Sequence, residues 1–296
     1  MKRQTLLLTG TTGFIGYNFL LFALSNNFLV IDILRSKNKN NKKIKKLRNT
    51  YPNNYKNIFF DSKKSLSKKL NNINVDCFIN FATLYSNDHR HDQVSDFIES
   101  NVTFPTVIYD IIHNRTKKII NFGSMMQHSK NKNLISKTLY AATKNAFEMI
   151  GNYYSTINKK TKFYNIKFYE SFGSYDTRKK IIPTIIGNYK KNIITKIISK
   201  DLSLNIIHTD DIINSIMILI NNNIKSGNYC IRNTVDINIS DLISSLNQNL
   251  DKKIKVKYGS ESIKSINHTT LKILPKWKPI KNLEKRIINT FKYETT

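Results

Sequence analysis

Tyr140 and Lys144, in the run Tyr140-Ala141-Ala142-Thr143-Lys144, are the pair in this chain best suited to moving a proton. On a helix they stand one turn apart on the same face. A nearby ammonium lowers the phenol pKa and brings proton exchange within reach of neutral pH. In so lysine-rich a chain the spacing alone recurs, and Tyr175 with Lys179 also matches it. Context separates the two. Tyr140 lies in a stretch with helical patterning and follows Asn121-Phe122-Gly123-Ser124 at the end of a strand-like run, whereas Tyr175 follows Gly173 in a loop. Ser124 is the candidate hydroxyl for a substrate oxygen that carries charge in the transition state. Capping of a turn is its competing role. Ser124, Tyr140 and Lys144 form the candidate catalytic set.

A second constellation binds rather than reacts. Thr9-Gly10-Thr11-Thr12-Gly13-Phe14-Ile15-Gly16 follows a strand-like run and opens a helical one. Gly10 permits the tight turn, Gly13 a close backbone approach to a pyrophosphate, and Gly16 tight packing of helix on strand. The helix N-terminus, at Thr12, Phe14 and Ile15, then offers unpaired N–H groups to phosphate. This context marks a dinucleotide site. NAD sites usually end the second strand on an acid that bonds the ribose hydroxyls. Here Leu34-Arg35-Ser36 stands at that end, and Asp32 lies two residues early. Arg35 and Ser36 suit a 2′-phosphate, so NADP is the expected cofactor and NAD the alternative. Asp61 is placed for the adenine amino group or for a turn. Asn80-Phe81-Ala82-Thr83 is expected to line the cofactor, and Tyr140 and Lys144 to reach its nicotinamide end.

These residues need a frame that brings strand ends to one edge. Strand-like runs at 5–8, 28–34, 58–60, 76–81, 118–122 and 162–168 alternate with helical stretches at 14–25, 104–113 and 139–154. Such alternation implies βαβ units. The expected fold is α/β, a Rossmann-type doubly wound parallel sheet with a smaller C-terminal substrate-binding lobe. Residues 1–168 form the NADP-binding domain, with 204–222 returning to it, and 169–203 and 223–296 form the lobe. The Lys- and Asn-rich segment 36–57 is expected to be an exposed loop or helix.

Taken together, the glycine turn, Asn80-Phe81-Ala82, Ser124 and Tyr140/Lys144 resemble the extended short-chain dehydrogenase/reductases, the nucleotide-sugar epimerase/dehydratase family. Glu170-Ser171-Phe172-Gly173, His208-Thr209-Asp210-Asp211 and Trp277-Lys278-Pro279 extend the likeness over essentially the whole chain. Ala82-Thr83-Leu84-Tyr85-Ser86, the short serine turn and the compact spacing from Ser124 to Tyr140 are similar to the reductases of nucleotide-linked 4-keto-6-deoxyhexoses. The resemblance implies NADPH-dependent reduction to the 4-hydroxy sugar for surface-polysaccharide precursors. It also implies a homodimer, with Thr83, Tyr85, Ser124 and Met125 toward the substrate; a cytoplasmic setting is expected from the two cysteines, which read as free thiols of a reducing compartment. Two departures matter. Met125-Met126 stands where sugar dehydratases carry an Asp-Glu pair, which speaks against dehydration. Leu204-Asn205 stands where the family has an Arg-Asp pair that binds substrate pyrophosphate, leaving Arg178 or Lys180 as candidates for that contact or else a different substrate. The alternatives are an epimerase with retained NAD and a non-catalytic Rossmann regulator or nucleic-acid binder. His208 and Asp211 read as a packed histidine and a helix cap.

The formal charge is +28. Its excess is Lys, spread widely and accompanied by much Asn and Ile, with little Arg to read base edges. It is therefore read as a compositional bias that also draws in anionic substrates, and no nucleic-acid partner is expected. Cys77 and Cys230 read as buried free thiols. His89, His91, His113 and His128 lack metal-ligand spacing, so no metal is expected. No apolar run reaches the ~18 residues of a membrane span, and the N-terminus lacks the pattern of a signal peptide.

Overall fold

A computed structural model describes residues 3–86, 88–128, 136, 138–261 and 271–293. Met1 and Lys2, part of the expected lead into the first strand, lie outside the described residues. The elements run β1 (Thr5–Thr9), α1 (Phe14–Ser25), β2 (Leu29–Arg35), α2 (Lys42–Thr50), β3 (Tyr55–Phe60), α3 (Lys63–Leu70), β4 (Val75–Asn80), α4 (Val94–Ile98), α5 (Phe104–Ile112), β5 (Thr116–Phe122), α6 (Leu139–Ile157) and β6 (Lys162–Lys167). They continue with β7 (Glu170–Phe172), α7 (Ile181–Lys190), β8 (Thr195–Ile197), β9 (Ser203–Leu204), β10 (Ile206–His208), α8 (Thr209–Asn221), β11 (Gly227–Cys230), β12 (Ile237–Asn238), α9 (Ile239–Asn249), β13 (Val256–Tyr258) and α10 (Leu283–Tyr293).

The chain divides into two compact units. The first comprises residues 1–167 and 219–229. Its seven-stranded sheet has the order β11-β6-β5-β4-β1-β2-β3, and the pairs from β3 to β6 are parallel. The order reverses between β1 and β4, where doubly wound sheets bind their ligands at the strand C-termini. The strands read as nearly continuous apolar runs because helices cover both faces. Leu7, Ile31, Phe78 and Ile119 pack with Phe104, Ile108, Phe147 and Phe163 in one such layer. The segment 36–57 resolves into a short 3₁₀ turn, the helix α2 capped by Asn41, and the start of β3. β3 begins three residues before the expected 58–60, since Tyr55, Lys56 and Asn57 pair with β2 despite their polar composition.

The second unit comprises residues 168–218 and 230–296. Its core gathers Phe172, Ile185, Ile206, Leu242, Ile287 and Phe291. The segment expected to return to the first domain was 204–222. The residues that cluster with the first unit are 219–229, and Ile206–His208 pairs with β7.

Candidate active site

α6 begins cleanly because Thr138 caps it, accepting a hydrogen bond from the Ala141 N–H at 3.1 Å. Its buried face carries Tyr140, Ala141, Thr143, Lys144, Phe147, Glu148 and Gly151, the three- and four-residue spacing of one helical stripe. Tyr140 is 8% exposed and Lys144 3%. Burial drives the Lys144 pKa down to about 8. Among the described residues no hydrogen bond or ion pair engages its ammonium. A buried cation without a partner is expensive, and it is chemically ready for one. The Tyr85 ring meets that of Tyr140 edge to face, 5.0 Å between centroids.

Ser124 lies two residues beyond β5 and caps a 3₁₀ turn over Met125–Gln127. Its hydroxyl oxygen accepts from the Met126 N–H at 3.2 Å, and its own N–H donates to Gln127 Oε1 at 2.7 Å. The capping role is therefore real. It uses a lone pair and leaves the hydroxyl hydrogen to donate elsewhere. Gln127 Nε2 in turn donates to Asn145 Oδ1 at 2.6 Å and Glu148 Oε2 at 2.8 Å, which ties the serine turn to α6. Met125 is buried.

Asn101 is one of the residues that escaped the sequence reading. Asn101 lies in a single π-helical turn, Glu99–Thr103, between α4 and α5. Such wide turns are rare and often mark functional sites. Asn101 accepts from Thr83 Oγ1 at 3.2 Å and the Leu84 N–H at 2.6 Å. It donates to Leu84 O at 3.0 Å and Thr143 Oγ1 at 2.9 Å. It clamps the loop after β4 against α6. No signal in sequence distinguishes it from the many other asparagines.

The glycine turn fits a dinucleotide. Gly10 has φ +71°, and a Cβ there would collide with the backbone of Phe81 and Ala82. A Cβ at Gly16 would collide with the Gly10 carbonyl. α1 starts at an extended Gly13 with no side-chain cap, and a helix N-terminus of this kind suits an anion. Thr12 and Gly13 are exposed there, Ile15 partly so, and Phe14 is buried. The Phe81 ring packs between Phe19 and Phe122, so it is the backbone of Phe81, with that of Ala82, that lies against the turn.

Asp32 is wholly buried. It accepts from Thr11 Oγ1 at 2.6 Å and the Tyr55 hydroxyl at 2.7 Å, while its Oδ1 has no partner. Burial lifts its pKa to about 7, against the opposing effect of those two hydrogen bonds. Arg35 lies at the end of β2. Next to it Ser36 Oγ donates to Phe60 O at 3.0 Å and Asp61 Oδ1 at 3.1 Å. Asp61 also pairs with Lys69 at 3.1 Å, and these contacts, Lys69 first, hold its carboxyl below the usual range.

In the second unit the Arg178 guanidinium is engaged by Asp176, at 2.8 Å through Nε and 2.7 Å through Nη2, and donates to Ser171 O at 2.7 Å. Lys180 pairs with Glu170 at 3.1 Å. Both cations are thus already partnered. Arg232 differs, since its buried Nε has no hydrogen-bond partner. Its neighbour Asn233 exchanges hydrogen bonds with Asn205 at 2.9 and 3.0 Å, beside the Leu204-Asn205 position where the cation was missed. Asp211 accepts from the His208 N–H at 3.0 Å and the Ile280 N–H at 2.7 Å, and its carbonyl accepts from the Trp277 indole at 3.0 Å. Arg286 lies 2.9 Å from His208 Nδ1. This is a structural joint, in accord with the capping reading.

A doubly wound sheet, a glycine turn at its switch point and a Tyr/Lys helix beside a serine turn define a dinucleotide-dependent enzyme architecture. A model of the NAD dependent epimerase/dehydratase family matches residues 6–234, and the chain belongs to that family. CDP-abequose synthase of Yersinia pseudotuberculosis is 27% identical over 168 residues, which is 56% of this chain and 58% of that protein. The fold matches UDP-glucuronic acid 4-epimerase of Bacillus cereus, solved with UDP-glucuronic acid and NAD (TM-score 0.80, 16% identity, 98% of this chain and 99% of that one). It also matches dTDP-glucose 4,6-dehydratase of Bacillus anthracis with NAD (TM-score 0.78, 16% identity, 98% and 96%). Among the described residues no group of side chains is arranged to hold a metal.

Proposed function

We propose that the protein reduces the keto group of a nucleotide-linked 4-keto-6-deoxyhexose, with NADPH as the reductant. The observation that carries this reading is the buried, unpartnered Lys144 one turn beyond Tyr140, on the helix that Gln127 ties to the Ser124 turn. The cofactor supplies the hydride when bound. Tyr140 gives a proton to the carbonyl oxygen, and the Lys144 cation stabilises the resulting phenolate. The Ser124 hydroxyl donates to that same oxygen as charge builds on it. Met125 and Met126 offer neither acid nor base, so the serine turn has no group to drive loss of water. The likeness to CDP-abequose synthase supports a deoxysugar substrate.

NADPH is favoured because Asp32 faces Thr11 and Tyr55 and leaves the Arg35 cation at the end of β2, beside Ser36, whose hydroxyl is held by Phe60 O and Asp61. Tyr85, Thr83 and Met125 are the proposed sugar contacts. With Arg178 held by Asp176, Arg232 is the second unit's candidate cation for a phosphate. A homodimer is proposed through α6 and α4, where Met149 (66% exposed), Tyr153 (59%) and Ile157 (56%) form an apolar stripe and Val94 and Ile98 lie exposed.

A second reading, an epimerase that retains NAD, is favoured by one atom. The orphan Asp32 Oδ1 is a buried acceptor of the kind a ribose hydroxyl satisfies. The two readings separate in one assay. The purified protein is given NADPH or NADH with a panel of nucleotide-linked 4-keto-6-deoxysugars, beside Tyr140→Phe. NADPH consumption that disappears in the variant supports the reductase. No consumption, with NAD released only on denaturation, overturns it in favour of the epimerase.

A further inference from the structure

A line of buried polar side chains, one hydroxyl and three amides, crosses the first unit near its strand ends. Thr9, Asn80, Asn121 and Asn165 occupy matching register positions on β1, β4, β5 and β6. Thr9 Oγ1 donates to Asn80 Oδ1 at 2.7 Å, Asn80 Nδ2 to Asn121 Oδ1 at 2.9 Å, and Asn121 Nδ2 to Asn165 Oδ1 at 2.8 Å. Asn165 Nδ2 then donates to Glu148 Oε2 at 2.8 Å. The same carboxylate oxygen takes Gln127 Nε2 at 2.8 Å and the Lys167 ammonium at 2.8 Å. Lys167 is 1% exposed, and its Nζ also lies 3.0 Å from His128 Nε2.

Glu148 is one turn beyond Lys144 on the same buried face of α6. Its oxygen fixes Gln127, and Gln127 Oε1 fixes the N–H of Ser124. The fit is tight, because a Cβ on Gly123 would collide with Gln127 Oε1 and come within 2.9 Å of Lys167 Cγ. One carboxylate therefore holds the serine turn in register with the helix that bears the tyrosine and lysine. A buried ion pair contributes little net stability for its desolvation cost, yet a fully satisfied polar network rigidifies what it touches.

We propose that Glu148, acting through Gln127 and charge-matched by Lys167, is the positioning residue that sets Ser124 against Tyr140. Its catalytic consequence rests on the reductase reading. Its structural consequence, a locked Ser124 amide, does not.

The test pairs kinetics with hydrogen exchange at the Ser124 amide in Glu148→Ala, Glu148→Gln, Gln127→Ala and the double variant Gln127→Ala/Glu148→Ala. Expected are a kcat loss of about 100-fold in Glu148→Ala and Gln127→Ala, the scale of an ångström-level misplacement, with KM and NADPH affinity held within about twofold. The double variant loses no more than Gln127→Ala alone, since both act through one path. Glu148→Gln, which keeps an acceptor oxygen, restores most of kcat. Ser124 exchange quickens at least roughly tenfold in the alanine variants, because its acceptor is released. Folded alanine variants with wild-type kcat and exchange overturn the proposal, and so do additive losses. If the wild type shows no reductase turnover, the reductase reading fails and the exchange data alone decide the positioning role. If Glu148→Ala does not fold, Glu148→Met/Lys167→Met removes both charges together. Retained Ser124 protection in that variant overturns the proposal, and lost protection supports it.

Discussion

Lys144 is a cation that the fold tolerates at a cost. Its pKa falls from 10.5 to about 8, which corresponds to about 3 kcal/mol of differential solvation. The shift is downward, so stability linked to this group is present above pH 10.5 and lost as pH falls through about 8. Lys144→Met is expected to abolish turnover while raising the melting temperature at pH 7, a trade between function and stability checked by calorimetry and kinetics on one sample. Turnover that needs the ammonium should fall as pH rises through about 8. Asp32 runs the other way. Its pKa is raised to about 7, so its contribution is full below pH 3.8 and lost as pH rises through about 7. Asp32→Asn should flatten that dependence in melting curves from pH 4 to 8. Tightened or unchanged NADPH binding in that variant fits the reductase, whereas loss of NAD binding fits the epimerase. At this scale the sequence was legible where chemistry demands a type and a spacing, as for Tyr140 with Lys144 and for the glycines. Asn101, Glu148 and Lys167 were not legible. Their roles depend on partners far along the chain, and nothing local marks one lysine among so many.

The elements were easier to read than their interplay. β1, β2, β4, β5 and β6 were visible as apolar runs because parallel strands are covered on both faces. α6 was visible by its stripe, and it runs three residues past the expected end at 154. The strand at Ile206 entering a helix was visible in sequence and is β10 leading into α8, but α7, α9 and the strand pairs β8–β13 and β9–β12 of the second unit were not resolved in sequence. Their cores are assembled from Ile and Leu scattered among turns, with no strand–helix alternation to announce them. The start of α6 is where element and site meet. Thr138→Ala removes a cap worth roughly 1 kcal/mol. It should lower the melting temperature slightly and loosen Tyr140, so kcat should drop more than stability alone explains, and Thr138→Ser should restore both.

For the molecule as a whole, the charge of +28 shapes encounter rather than fold. KM for a phosphate-bearing substrate is expected to rise with ionic strength between 50 and 500 mM salt while kcat holds, because exposed charges are screened within roughly 10 Å. Steady-state kinetics at several salt concentrations check this. The apolar stripe on α6 makes a separate claim. Met149→Lys/Tyr153→Lys should shift the protein from dimer to monomer in sedimentation, and a wild-type monomer would remove the dimer proposal. Among the described residues no helix is long and apolar enough to cross a membrane.

The buried line of Thr9, Asn80, Asn121 and Asn165 across β1, β4, β5 and β6 has a consequence beyond the site. In strands made of Leu, Ile and Phe, a two-residue shift exchanges one aliphatic contact for another and is resisted by packing alone. The polar line adds to that resistance. Partners 71, 41 and 44 residues apart must arrive at matching heights. A slip at any joint leaves buried donors and acceptors unpaired, at about 1–3 kcal/mol each. The same polar thread therefore favours the native register of these four strands over slipped pairings of the same apolar runs.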